Sequence, residues 1–421
     1  MYASKEVSRP KGARAKAKPP VITFGLSRDV LSEAIAYYMQ YYLGPSNVPT
    51  AAMSDLRKAV LFTTHSTDLM EAALPAAALA VFERVRCQRR VARQAAASYR
   101  RSLKALQSAL PHVGEDGVGS CLLAIFFMAR YEDTVLGECT GYNHENARSL
   151  QSQLHLNGAI AVLDRWKNMP AAAQKPIFPV TYARRMLVKA ALSGQIDLPN
   201  WLEDGSTFGE QDLELSLDGM LMRLIALRKA VTSLRRAASE AEERSPANLQ
   251  AVEVLKREAL SVERALRGCR YVCAKPAEFA HTGAEAAKGV RWYSYRMIAC
   301  HLRVQILELH HWHSSQGFCT QIIDAKRELN ALAESLWTAI MAHRDGCSGR
   351  DHPSAMDDSD MCFKGDVLPH DSEEVVFPLM IALTTPYIDS RYIELFKMTL
   401  QNIGQSTGYG LVLAIASSSQ V

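Results

Sequence analysis

The chain contains 421 residues, of which 48% are hydrophobic and 22% are charged. These proportions are those of a soluble globular protein, and the length suits one large helical array or about two to three domains. A net charge of +4 is too small for the whole surface to bind nucleic acid, so any basic patch must be local.

The chain shows no sign of a secretory or membrane address. Its amino terminus has no apolar signal-peptide core, and the longest uninterrupted apolar runs, such as residues 121–129, are far too short for a bilayer span. We therefore expect a protein that is neither secreted nor integral to a membrane. Nine cysteines, an odd number, are dispersed along the chain. This usage predicts reduced, buried thiols in an intracellular protein.

Residues 1–24 are predicted to form a disordered basic tail, because its prolines oppose regular structure. Its basic side chains are Lys5, Arg9, Lys11, Arg14, Lys16 and Lys18. The tail fits a nuclear-localisation signal or an arm that contacts phosphate groups. A mitochondrial presequence and a plain solvated tail are the alternatives.

Residues 25–421 carry apolar side chains at the 3.6-residue spacing of amphipathic helices, and few residues favour strands. The predicted fold is all-α, an irregular multi-helix bundle or array of antiparallel helices. Pro170, Pro176 and Pro179 interrupt the helical pattern, so we expect a subdivision near residues 168–180.

The first predicted helix follows Ser27, and a second helical region spans about residues 53–73, after which Pro75 opens or kinks an alanine-rich stretch. A basic stripe comes next, predicted to share one helical face because its members are three, four or seven residues apart: Arg86, Arg89, Arg90, Arg93 and Arg100. Such a face fits phosphate groups or an acidic partner, and a solvated face is the alternative.

Three helical patterns then follow one another. Tyr99 opens the first, an apolar run ending in Tyr131 and Glu132 forms the second, and the third contains His155-Leu156-Asn157-Gly158-Ala159. Weaker patterns follow at residues 184–188 and at 377–382, which includes Phe377-Pro378-Leu379. These patterns contain no nucleophile, metal cage or phosphate loop.

This succession resembles the middle regulatory domain of the fungal zinc-cluster transcription factors. The resemblance covers about residues 25–405, with departures from the family pattern at Ser152, Gln153 and Leu383. It implies structural roles for the motif residues, which are Tyr99, Tyr131, Glu132, His155, Gly158 and Pro378.

The resemblance implies a nuclear transcription regulator that controls a metabolic gene cluster, with secondary metabolism as the family association. No Cys-x2-Cys-x6-Cys cluster occurs in the sequence, so the family's usual DNA-reading module is missing. We therefore expect weak or indirect DNA contact and a co-regulator or DNA-binding partner protein. A small-molecule effector and a homodimer are further expectations, no cofactor is expected, and the cytoplasm is the alternative location.

Long charged helices are predicted over residues 213–266, with the turn at Ser245-Pro246. They form a hairpin that packs within the array or presents a dimerisation face. Residues 345–375 mix acidic and apolar side chains, which fits an acidic loop before a helix starting near Pro378, or a disordered activation segment.

The alternative function is an enzyme, built on a repurposed helical scaffold of this kind, that acts on a small-molecule metabolite. Its candidate residues are His310 and His313, which share a helical face at a spacing of three residues. No regular metal-binding motif accompanies them, and Cys269 and Cys273 form no recognised zinc framework. The sequence therefore predicts no metal site and no catalytic set, and we rank the enzyme second.

Overall fold

The computed structural model describes residues 26–43, 57–60, 68–86, 89–135, 144–240, 246–269, 283–314, 319–348, 369–410, 412, 413 and 415. Over these residues the chain is all-α, as predicted, and no β-strand occurs among them. No helix in this part of the chain is long and apolar enough to cross a membrane.

The longer helices are α1 (Leu26–Tyr41), α2 (Asp68–Arg86), α3 (Arg89–Ala109), α4 (Glu115–Val135), α5 (His144–Lys167), α6 (Phe178–Leu192), α7 (Asp212–Glu240), α8 (Pro246–Arg267), α9 (Gly283–Ser314), α10 (Cys319–Ser348), α11 (Pro369–Thr384) and α12 (Ser390–Thr407). Short 3-10 turns lie at Leu110–His112, Ala171–Ala173, Asn200–Leu202 and Gly205–Phe208. The predicted hairpin of long helices is confirmed as α7 and α8.

Helix α2 is the buried centre of the amino-terminal half. Its alanine-rich middle lets α1, α3 and α4 approach closely, and these three helices pack around it. Within the helical region predicted over residues 53–73, the described residues 57–60 and 68–73 are helical, and α2 begins at Asp68. Pro75 lies inside α2 and does not open a new helix, and the alternative that it kinks the alanine-rich stretch stays a prediction.

Helix boundaries follow local chemistry. Glu115 and Asp116 occupy the first turn of α4, where their negative charges interact favourably with the positive end of the helix dipole. Asp389 caps α12 by accepting a hydrogen bond of 2.8 Å from the backbone N–H of Arg391. Gly408 ends the same helix with a positive φ of 68°, a conformation that glycine adopts without strain.

Consecutive helices such as α2 and α3, α7 and α8, and α9 and α10 pack against each other, and short connections join them, so they run antiparallel. One large apolar core runs through the array, and Val304, Leu307 and Ala325 form a small separate cluster. Trp166 and Val180, on either side of the prolines, both belong to the large core, and the subdivision near 168–180 stays a prediction.

The two ends of the described chain meet. The hydroxyl of Tyr42, just after α1, donates a hydrogen bond of 2.5 Å to the carbonyl of Thr407 at the end of α12. The rings of Tyr42 and Tyr409 also meet edge to face, with centroids 5.7 Å apart. The array is therefore closed by contacts between its first and last helices.

Candidate functional site

A cavity of about 740 Å³ lies at the centre of the array, between α4, α5, α6, α7, α9 and α11. This volume falls in the usual range for small-molecule sites, about 300–1,000 Å³. Much of its wall is apolar and aromatic, formed by side chains that include Phe126, Leu156, Tyr182, Ile298, Phe377 and Met380. Helix α4 can form one wall because it is apolar on nearly all faces.

Three motif residues from separate helices meet at this wall. The Tyr99 hydroxyl of α3 donates a hydrogen bond to the carboxylate of Glu132 on α4. Nε2 of His155, on α5, lies 2.7 Å from the other carboxylate oxygen of Glu132. Glu132 is only 7% exposed, and both Glu132 and His155 line the cavity. Burial and the bond to Glu132 raise the pKa of Tyr99, so its hydroxyl stays protonated as a donor.

The other motif residues support these contacts or lie elsewhere. The ring of Tyr131 stacks on that of Tyr99, with centroids 4.4 Å apart. A Cβ atom at Gly158 would lie 3.6 Å from Ile125, an ordinary contact, so close packing does not require glycine there. Pro378 is buried inside α11, which begins at Pro369 and not near Pro378 as predicted.

A second wall carries a fully paired arginine. Arg184 of α6 is completely buried; its Nη2 donates to Asp218 at 2.7 Å, and its Nη1 lies 2.7 Å from Glu210. Its Nε donates to the carbonyl of Leu202 at 2.8 Å, and Asp218 also accepts from the backbone N–H of Gly205. Burial raises the pKa of Glu210 despite the opposing charge of Arg184. These contacts fasten α6 to α7 and to both intervening 3-10 turns.

Beside this wall, Arg291 of α9 lies 3.3 Å from Glu374 of α11. Burial opposes ionisation of Glu374, but the nearby charges of Arg291 and Lys189 outweigh it and lower the pKa of this carboxyl. Glu374 is therefore a carboxylate at neutral pH. This part of the lining, like that around Arg184, carries both positive and negative side chains.

A third part of the lining, which we name the cationic corner, consists of Arg228 and Arg235 on α7 and His301 on α9. Nη1 of Arg228 donates to the carbonyl of Leu192 at 2.5 Å. Nε2 of His301 lies 2.9 Å from Nε2 of Gln305. Burial and the charges of the two arginines lower the pKa of His301 to about 4, so its imidazole is neutral at pH 7.

The candidate histidines of the enzyme alternative do not meet at the cavity. His310 is buried and its Nε2 lies 2.5 Å from Glu253 on α8, so it joins two helices outside the cavity lining. It lies nine residues beyond His301, about 13.5 Å along a helix. His313 falls in the last turn of α9, and its side chain is outside the described set. Among the described side chains, no group of three or more His, Cys, Asp or Glu could hold a metal ion.

The basic stripe does not form one helical face. Arg86 is the last residue of α2 and Arg89 the first of α3; these are two separate helices that pack against each other, so Arg86 does not share one helical face with the other arginines. Arg86 is half-buried, with its guanidinium over the ring of Phe82, whereas Arg90 and Arg93 are exposed on α3.

Two further predicted segments lie wholly or partly outside the described residues. The basic tail residues Lys5, Arg9, Lys11, Arg14, Lys16 and Lys18 are all outside them. Of the acidic loop predicted over 345–375, residues 345–348 and 369–375 are helical, and residues 349–368 are outside the described set.

Sequence reasoning missed Arg228 and Arg235, although a signal for them exists. Spacings of four and three residues alternate along one stripe of α7, formed by Leu217, Leu221, Leu224, Arg228, Val231 and Arg235. The leucines and the valine are buried in the core. Two arginines in an otherwise apolar stripe indicate either buried ion pairs or a cavity. In this structure both arginines line the cavity.

No protein-family model, no curated protein and no solved structure matches the chain. The resemblance to fungal zinc-cluster transcription factors therefore rests on the motif residues of the sequence.

Proposed function

We propose that the protein is a nuclear transcription regulator that responds to a small molecule bound in its central cavity. The observation that supports this proposal is the meeting of Tyr99, Glu132 and His155 at the cavity wall. These residues come from the three consecutive patterns that resemble the regulatory domain of fungal zinc-cluster transcription factors. Two of the residues that carry the resemblance, Glu132 and His155, thus line the cavity, and Tyr99 contacts Glu132.

A ligand in this cavity would act through the helices that it touches. The wall combines side chains of α4, α5 and α6 with side chains of α7, α9 and α11, so one bound molecule contacts both halves of the array. A ligand that favours one arrangement of these helices shifts the protein toward that arrangement. The shift would reach a co-regulator or a DNA-binding partner through the outer helix faces.

The proposal assigns promoter recognition to a partner protein, since these 421 residues contain no zinc-cluster motif. Direct DNA contact would be weak and salt-dependent, because exposed side chains such as Arg90 and Arg93 supply phosphate contacts without reading bases. The basic tail would supply the nuclear address. Deletion of residues 1–20 should then reduce nuclear accumulation of a fluorescent fusion, and unchanged accumulation would reject that assignment.

The decisive experiment combines chromatin immunoprecipitation with transcript profiling in a strain that lacks the gene. Reintroduced wild-type protein should occupy promoters and restore a coordinated set of transcripts. Met380→Trp, which fills the cavity, should occupy the same promoters without restoring the transcripts. Met398→Trp is the matched control, because Met398 is 50% exposed and outside the cavity lining. Transcripts that do not change on deletion would refute the regulator.

The Glu132–His155 pair favours an enzyme as the second candidate. A carboxylate that holds an imidazole at the wall of an apolar cavity is an arrangement used for general acid-base catalysis. Under this alternative, deletion leaves transcripts unchanged while one unprocessed metabolite accumulates. The first residue to replace is then His155, and not His310 or His313. His155→Gln should abolish turnover of the metabolite, whereas His310→Gln, outside the cavity, should preserve it.

A further inference from the structure

The charges that line the cavity are balanced everywhere except at the cationic corner. Away from the corner, five cationic side chains face five carboxylates: Arg130, Arg184, Arg185, Lys189 and Arg291 against Glu132, Asp133, Glu210, Asp218 and Glu374. The corner adds Arg228 and Arg235 and no acid. The excess positive charge of the cavity is therefore confined to one end.

The two corner arginines have no carboxylate partner among the described residues. Arg228 donates one N–H group to the carbonyl of Leu192, and this hydrogen bond holds the guanidinium in place. Its other N–H groups are left for other contacts. The nearest acid that acts on His301 is Glu308, whose carboxylate is already held by Lys326 at 3.0 Å and by the hydroxyl of Tyr387.

A comparison with Arg223 on the same helix shows what a carboxylate partner changes for an arginine. Arg223 pairs with Glu258 of α8 at 2.7 Å, and that bond raises the pKa of the guanidinium. The pKa of Arg228 is lowered by burial, and no carboxylate compensates. A half-buried cation of this kind is stabilised when an anion reaches it.

We propose that the cationic corner binds the anionic head of an amphipathic small molecule, such as a carboxylate, whose apolar body lies along Phe126, Ile298 and Phe377. The inference rests on the proposed role of the cavity as an effector site, and it names the class of effector. The neutral His301, beside Gln305, adds no charge, so the positive charge at the corner is that of the two arginines. The remaining wall carries equal numbers of cationic and acidic side chains.

The test uses two fluorescent probes that differ in one group. The first, 8-anilinonaphthalene-1-sulfonate, carries an anionic head on an apolar body, and the second, N-phenyl-1-naphthylamine, is the same body without the anion. Wild-type protein should bind the anionic probe more tightly. Arg228→Gln and Arg235→Gln should each weaken binding of the anionic probe by about tenfold, the size expected for a lost charge-assisted hydrogen bond. Binding of the neutral probe should change by less than about twofold.

Arg236→Gln is the matched control, because Arg236 is an exposed neighbour on α7 that does not line the cavity. Since Arg228 also holds Leu192, its substitution can affect folding, and Arg235, which is exposed, provides the variant free of that effect. Equal affinity of Arg235→Gln and wild type for the anionic probe would overturn the inference. Equal loss of both probes in Arg235→Gln would also overturn it, since the body and not the anion would then control binding.

These measurements use purified full-length protein, so they are separate from the transcript experiment. A charge-selective cavity in a protein whose deletion changes no transcript would refute the regulator and leave the corner assignment intact. Coordinated transcript loss without charge selectivity would support the regulator and refute the corner assignment.

Discussion

Arg184 and Arg228 lie on neighbouring helices of the same cavity, yet their surroundings are opposite. Arg184 is fully buried and meets two carboxylates and two backbone carbonyls. Arg228 meets a single backbone carbonyl and no carboxylate. A guanidinium whose charge and donors are satisfied inside the protein serves the fold, whereas one that faces a cavity with spare donors suits a ligand. The partners, and not the residue type, separate the two roles.

Removal of the paired arginine should have the largest effect. Arg184→Ala removes the cation that contacts both buried carboxylates and leaves Glu210 with the more distant Arg185, at 3.8 Å, so we expect a loss of about 3–5 kcal/mol in the free energy of unfolding. Urea denaturation followed by circular dichroism measures it. A loss below about 1 kcal/mol would show that the carboxylates simply take up protons or water.

His301 in the cationic corner should make the free energy of unfolding depend on pH. The pKa of His301 is lowered to about 4 in the folded protein, against about 6.5 in the unfolded chain. Below about pH 6.5 His301 is therefore protonated in the unfolded state but not in the folded state. The free energy of unfolding falls as the pH is lowered, until about pH 4. Between about pH 7.5 and pH 5 this contribution is about 2 kcal/mol. His301→Gln should show a correspondingly smaller loss in urea denaturation at the two pH values, and an unchanged loss would place the pH dependence elsewhere.

A smaller change next to the corner should disturb Arg228 without removing it. Gly194 has a φ of +79°, and an added Cβ would lie 2.9 Å from Nε of Arg228. Gly194→Ala should therefore cost about 1–2 kcal/mol of stability through backbone strain and displace the guanidinium. We expect weaker binding of 8-anilinonaphthalene-1-sulfonate by the folded variant. Full retention of that binding would mean that Arg228 is not held where the ligand needs it.

The smallest effect should come from an arginine paired at the surface. Arg327 is 74% exposed and bonds Asp324 at 2.7 Å within one turn of α10. Arg327→Ala should change the free energy of unfolding by less than about 1 kcal/mol, because water screens both charges. Measured beside Arg184→Ala, it separates the effect of burial from the effect of pairing. Comparable losses in the two variants would contradict this comparison.

The helical fold was predictable from sequence, because amphipathic spacing is local. The spacing identified the α7–α8 hairpin and the apolar α4, whereas the predicted start of a helix near Pro378 was wrong, because α11 begins at Pro369. A proline is a strong local signal against a helix, but burial on both sides of it holds α2 and α11 together. Tertiary packing decided those boundaries.

The cavity was not predictable in the same way. Tyr99 and Glu132 are separated by 33 residues, and Arg184 and Asp218 by 34, so their contacts depend on how helices pack. The motif residues Tyr99, Glu132 and His155 could be selected by resemblance, but their convergence could not. Histidines cluster between His301 and His313, and the member of this cluster that lines the cavity is His301, not His310.

The hydrogen bond from Tyr42 to Thr407 has a consequence for synthesis of the chain. Its partners are 365 residues apart, which a ribosome covers in roughly 20–70 s at about 5–20 residues per second. Throughout that interval α1 can pack on α2, but the side of Tyr42 that later meets Thr407 and Tyr409 stays uncovered. The last helix to be synthesised therefore covers an aromatic surface that the first helix has presented since it was made.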